Sequence, residues 1–308
     1  MDGPRRSPRH SPYARGVGSV RLGLRPLAVE DWLERDDCTD ADTLDLDLAS
    51  KRTLLGRHRD DVFRALDGSE PGQREIEEMV GAFLGTGGIG GAGGTGAVAV
   101  EDAPPLLRAG LRVADDLCLL EPRGDRTVLT AGFVCAPSYW RLADKIGLPV
   151  ADIHAPVPGY AEKIGRAVDR IIASLDPDRP QWRLNWAIGA SPEPYRPVRD
   201  AAEAECVREL ASRAAASGPA AGVALTDVGR RLHVRVERQS LRRLPVTGGV
   251  VFTIRVHVDS LESVAADRGR AAGLHASVAG LSDEEACYKG IAAMREIVLG
   301  YLAWAADL

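Results

Sequence analysis

The groups in this sequence that could carry chemistry are six histidines, a dense block of arginine and glutamate, and five scattered cysteines. His154 has the most constrained setting, within Asp152-Ile153-His154-Ala155-Pro156-Val157-Pro158. The prolines restrict the backbone beside it, so its imidazole is held in a fixed direction. A single fixed imidazole suits an axial ligand of haem iron, which needs one protein nitrogen in an otherwise apolar pocket. The plainer alternative is a histidine that caps a loop or the following helix, and a lone imidazole favours that alternative on local spacing. His10 falls in a basic N-terminal stretch, and His58 and His275 fall in helical segments. His233 and His257 fall in strand-like ones, where His257 is expected to face solvent or an opposing layer. None of these pairs with a Cys, an Asp or a second His at metal-ligand spacing.

The polar block runs Arg235-Val236-Glu237-Arg238-Gln239, then Leu241-Arg242-Arg243-Leu244-Pro245. On a strand, Arg235, Glu237 and Gln239 share one face, and Val236 and Arg238 share the other. Arginine forks in such a row suit an anion such as a haem propionate, whereas Glu237 suits a cationic amine. A solvated face with cross-strand ion pairs is the bland alternative, slightly favoured by pattern alone. Arg183-Leu184-Asn185-Trp186 offers a second row. Cys135, at a strand end before Pro137, reads as a buried structural residue, with thiolate ligation of haem as the alternative. Gly88-Ile89-Gly90-Gly91-Ala92-Gly93 is a formal GxGxxG, but a helical segment precedes it and more glycines follow, so it lacks the context of a dinucleotide loop. GxSxG, HExxH and P-loop signatures are absent.

These groups need elements to position them. Alternating apolar residues predict strands at Leu117–Leu120, Thr127–Cys135, Gln181–Gly189, and through HVRVERQSLRR and GGVVFTIRVHV, the last two joined by a turn containing Gly248-Gly249. Helical periodicity is predicted in LDLASKRTLLGRHRDDVFRAL, GQREIEEMVGAFL, AEKIGRAVDRIIASL (Ile164, Val168, Ile171 and Ile172 inward), AAEAECVRELASRAAA and most of Leu261–Leu308. A short helix is expected in PSYWRLADKIG, and none in IHAPVPGY. Eight of the twelve residues from Gly85 to Gly96 are glycine, which marks residues 85–96 as a connector or loop. The fold class is α+β, a mostly antiparallel sheet flanked by N- and C-terminal helices.

The chain has 308 residues, of which 45% are hydrophobic, enough to bury a core. Its 39 basic and 44 acidic residues leave a net charge of -5, with no bias towards nucleic acid. No apolar run approaches the ~18 residues of a membrane span. The odd cysteine count and the lack of a CxxC pair speak against a disulfide framework and for a reducing cytoplasm. Residues 1–20, basic and Pro/Ser-rich at their start, read as a disordered tail rather than a signal peptide, ahead of one domain over 21–308.

Taken together, PSYWRLADKIGLPVADIHAPVPGY, RLNWAI, VRVERQSLRRLP and VVFTIRVHV resemble the haem-dependent oxidative N-demethylase family. LRPLAVEDWLERDD resembles that family's N-terminal segment, so the resemblance spans about Leu22 to Val258. It implies a PAS-like antiparallel sheet carrying haem b. It also implies a monooxygenase that demethylates a small secondary amine with O2 and releases formaldehyde. The electrons would come from NADPH through partner subunits carrying FMN and a [2Fe-2S] cluster. Under the resemblance His154 is the axial ligand, and Arg183, Arg235 and Trp186 contact the haem. Glu237 recognises the amine and, with Arg238, serves catalysis, while Tyr139 lines the pocket. A haem-binding PAS-type gas or redox sensor is the main competing function, and a scaffold without haem is the third.

Overall fold

The computed structural model describes residues 7–16, 22–35, 41–85, 102–160, 165–216 and 221–308. The glycine-rich stretch beyond Gly85, Ile164 and the remainder of the N-terminal twenty residues lie outside these. Seven strands follow in chain order: β1 (Arg25–Pro26), β2 (Phe63–Ala65), β3 (Asp116–Arg123), β4 (Arg126–Phe133), β5 (Gln181–Gly189), β6 (His233–Arg243) and β7 (Val250–Ser260). They form one antiparallel sheet in the order β1-β5-β6-β7-β3-β4-β2. With its helices this is the expected α+β class.

The centre of the sheet is built from the long β6–β7 hairpin, whose β-branched and alternating residues suit a pleated surface buried on both sides. Along β6, Val236, Arg238 and Ser240 face one side, where Arg238 donates to the Asp31 carbonyl and Ser240 to that of Trp32. Glu237, Gln239 and Leu241 face the other, in register with Val256, Ile254 and Phe252 of β7. The β5–β6 register is continuous from Gln181 to Gly189, so no bulge turns Arg235 and Arg238 to the same side. β5 is nearly an edge strand, because β1 pairs only with Gln181 and Trp182.

The helices are α1 (Ala41–Val62), α2 (Glu70–Phe83), α3 (Pro105–Gly110), α4 (Val150–Ile153), α5 (Arg166–Ser174), α6 (Ala201–Ala216), α7 (Ala221–Arg231), α8 (Leu261–Ala265), α9 (Arg268–Ala279), α10 (Asp283–Tyr288) and α11 (Arg295–Ala306). Side chains of α2 and α3, among them Ile76, Val80 and Leu106, pack with Leu117, Leu119 and Val251 of the sheet. The C-terminal helices pack on Ile188, Val234 and Val236. α4 and α5 contribute Val150 and Ile172 to a third cluster with Cys118, Leu120 and Leu129. α10 begins with a capping box in which Ser282 and Glu285 satisfy each other's backbone N–H groups.

Three sequence expectations need correction. Residues 7–16 are ordered rather than part of a disordered tail: Tyr13 is fully buried, its ring packs edge-on to Trp186 and its carbonyl accepts from Ser277. One aromatic anchor outweighs the polar composition around it. PSYWRLADKIG forms only a single 3-10 turn at Leu142–Asp144, because Tyr139 takes a left-handed conformation (φ 62°) that no helix accepts. The helix read through Phe63–Ala65 stops at Val62, after a non-helical His58, and those three residues pair with β4 instead.

Candidate functional site

The cavity face of β6 and the loops around it enclose a space of about 880 Å³. Its apolar lining includes Leu120, Leu129, Ile172 and Phe252. Its polar wall comes from β5 and β6, with Arg183, Asn185, Glu237 and Gln239. A third side is closed by Tyr288 and Lys289 at the end of α10.

His154 caps the C-terminus of α4, where Pro156 and Pro158 prevent the helix from continuing. Its Nδ1 lies 2.8 Å from the Val150 carbonyl oxygen. A carbonyl can only accept, so Nδ1 carries the proton and Nε2 keeps its lone pair. The ring stacks on Tyr160 with centroids 5.1 Å apart and an 11° tilt. His154 is exposed at the cavity wall, yet the protein packed around it holds its pKa below the ordinary value. The carbonyl bond opposes that effect, and the charges of Arg183 and Lys145 add to it. A neutral imidazole with a free nitrogen is what a metal ligand requires.

Glu237 is 8% exposed and accepts hydrogen bonds from Ser138 Oγ, Gln239 Nε2 (2.8 Å) and Asn185 Nδ2 (3.4 Å). Arg235 lies behind it, donating to Ser138 Oγ (2.8 Å) and the Ala136 carbonyl (2.6 Å). Arg235 therefore braces the turn that presents Ser138 to Glu237 and does not itself border the cavity. Asp116 holds the same turn by accepting from the Cys135 and Ala136 amides. Tyr139, next in the turn, bonds through its hydroxyl to Glu203, and Arg199 stacks 3.7 Å over its ring.

Arg183 is the clearest unfinished group. Its Nε is buried with no hydrogen-bond partner among the described residues, and burial pushes its pKa down, partly offset by Glu237. The Tyr160 hydroxyl, also in the cavity wall, is likewise unpartnered. Buried polar groups of this kind call for a partner from outside the chain. An amphiphilic, anionic, metal-bearing ligand such as haem fits this set: an apolar floor, an imidazole nitrogen and a guanidinium Nε that have no partner among the described residues.

The predicted residues divide accordingly. His154, Arg183 and Glu237 share the cavity. Trp186 borders it too, although its ring also packs on Tyr13 in the core. Arg238 is placed outside, on the opposite face, for the period-2 reason given above. Cys135 lies in a separate apolar cluster with Leu107 and Phe133, and burial pushes its thiol well up, so it stays an unreactive core residue. Sequence reasoning did not single out Ser138, Tyr288 or Lys289. Lys289 Nζ donates to the Trp186 carbonyl (2.7 Å) and Asn185 Oδ1 (3.4 Å), and burial lowers its pKa to about 8. No local motif announces it, since it reaches the cavity only because α10 folds against the open edge of β5.

Fold and cavity thus define an α+β protein with a sizeable cavity in which an imidazole, a guanidinium and a carboxylate line the walls. The chain belongs to the family described as haem-dependent oxidative N-demethylase, alpha subunit-like, whose model matches residues 94–299, more than half of its length. The match contains β3 to β7 and α10, hence every polar group of the cavity wall named above. It begins after the segment from Leu22 that sequence resemblance had included. The family carries haem dependence and an oxidative role. No helix among the described residues is long and apolar enough to cross a membrane.

Proposed function

We propose that this chain is the haem b-binding oxygenase subunit that demethylates a small secondary N-methyl amine. The balanced reaction consumes the amine, O2, two electrons and two protons, and yields the shorter amine, formaldehyde and water. The electrons would come from a partner reductase with NADPH, FMN and a [2Fe-2S] cluster, in the cytoplasm, and the sheet would be the PAS-like haem platform of the resemblance. The observation that carries this is the convergence in one cavity of His154, whose Nε2 has no partner among the described residues, Arg183, whose Nε likewise has none, and the buried Glu237.

When bound, haem supplies the binding and activation of O2. His154 would hold the iron through Nε2, and Arg183 would pair with a propionate. Glu237, oriented by Ser138, Asn185 and Gln239, would attract a dialkylammonium ion and take up its proton, so that the amine reacts as the free base. Arg235 acts through Ser138 as a positioning residue. The apolar floor excludes water from the reacting methyl group.

The test is an absorption spectrum of the chain supplied with haem, wild type beside His154→Ala. A Soret band lost or shifted in the variant is expected, followed by dimethylamine-dependent O2 consumption and formaldehyde release with a surrogate reductase. Glu237→Gln should raise the amine KM while keeping the Soret band, and unchanged turnover and affinity would remove Glu237 from the site. A wild type that takes up no haem overturns the proposal. Haem uptake with no amine-dependent O2 consumption would instead favour the sensor.

A further inference from the structure

We propose that His10, Glu34 and His257 form a second metal site, for a borderline divalent transition ion such as Zn2+. They come from three distant segments: residues 7–16, residues 22–35 and β7. His10 Nε2 lies 2.7 Å from Glu34 Oε1, and His257 Nε2 lies 2.8 Å from Oε2. One ligand atom from each of the three falls within 4.8 Å of the others. The imidazole centroids are 5.1 Å apart with the rings inclined by 68°, so the two nitrogens converge on one carboxylate rather than stacking past each other. This corrects the sequence expectation for both histidines, because the spacing that matters here is in space and not along the chain.

The donor set selects the ion. Two imidazole nitrogens and one carboxylate match zinc, which accepts such ligands at roughly 2.0–2.2 Å, whereas calcium and magnesium prefer all-oxygen shells. The Glu34 side chain is 5% exposed and those of His10 and His257 are 18% and 16% exposed. The carboxylate is thus closed in, and the histidines leave room for a water as fourth ligand. Arg9 Nε also lies 2.7 Å from Glu34 Oε1, and at 31% exposure it can move aside when an ion takes that oxygen.

The site has a structural consequence. Ser11 and Pro12, directly after His10, border the haem cavity, as do residues 22–25. Ala14 packs so closely on α9 that a Cβ at Gly273 would lie 2.4 Å from its carbonyl oxygen. An ion joining His10 to Glu34 and His257 would clip this segment in place where it walls the cavity. The inference does not depend on haem binding.

The experiment is titration of the full chain, haem-loaded and haem-free, with Zn2+ and with Co2+ as a spectroscopic probe. One equivalent of ion is expected, with Co2+ absorption bands typical of mixed nitrogen and oxygen ligation. His10→Gln plus His257→Gln should weaken binding by more than the roughly 10–100-fold that loss of an outer-shell partner causes. His10→Gln alone, on a peripheral segment, guards against misfolding, and His275→Gln should leave affinity unchanged. Bound Zn2+ should also slow tryptic cleavage at Arg15. Affinity no tighter than about 1 mM, or equal affinity in wild type and double variant, would overturn the site, whatever the haem spectrum shows.

Discussion

Lys51 on α1 and Lys289 after α10 are both lysines folded into the protein, and their surroundings differ in kind. Lys51, 4% exposed, donates to the carbonyls of Gly110 (3.3 Å), Val113 (3.0 Å) and Asp115 (2.5 Å), with the Asp116 carboxylate at 3.5 Å. Every donor of that ammonium is spoken for by the chain itself. Lys289 has the Trp186 carbonyl, a long contact to Asn185 and the face of the Trp186 ring 4.7 Å away, and no carboxylate within salt-bridge distance among the described residues. Its neighbour in the cavity, Arg183, has an unpartnered Nε. The Lys51 ammonium is closed by its own chain, whereas the basic groups at the cavity keep hydrogen-bonding capacity in reserve.

The largest expected effect tests the closed cluster. Lys51→Met leaves three carbonyls and the Asp116 carboxylate without their cation, and should lower stability by about 3–5 kcal/mol. Urea unfolding followed by circular dichroism measures this. A loss under ~1 kcal/mol, the range of an exposed pair, would remove the distinction. Arg183→Met tests the open cluster in the opposite sense. It deletes a guanidinium that the chain does not satisfy, so unfolding should change little. The affinity for haem should fall roughly 10–100-fold, the range of one charged hydrogen bond, as read from the Soret titration. A stability loss as large as that of Lys51→Met would place Arg183 among the structural residues.

The same distinction explains what the sequence could show. Period-2 alternation located β5, β6 and β7 closely, since successive side chains of a strand point to two faces with different surroundings. It also separates Glu237 from Arg238, because opposite faces follow from adjacent positions. The anchoring of residues 7–16 by Tyr13 was out of reach: a single anchor in a Pro, Ser and Arg-rich stretch leaves no periodic trace. The left-handed backbone at Tyr139 was hidden for a related reason, as a non-glycine residue in that region has no compositional mark. Lys51 and Lys289 look alike in sequence, each a lysine in a helical run. Only the tertiary partners, carbonyls in one case and an open sheet edge in the other, tell them apart. His10 and His257 show the limit most plainly, since they meet over Glu34 from nearly opposite ends of the chain.

The pH dependence of stability is the effect most specific to Lys289. Its folded pKa of about 8 lies below the ordinary 10.5, because burial disfavours the charged form more than the nearby Glu237 charge supports it. Between those two values the unfolded chain holds a proton that the folded chain has released, so stability rises with pH across that window. Below about 8 both states carry the charge and the slope vanishes. Subtracting the unfolding free energy of Lys289→Met from that of wild type cancels the other titrating groups. The difference should then climb through the alkaline window and stay flat beneath it. A flat difference throughout would mean that Lys289 is as well solvated as a surface lysine, and the contrast with Lys51 would have to rest on Arg183 alone.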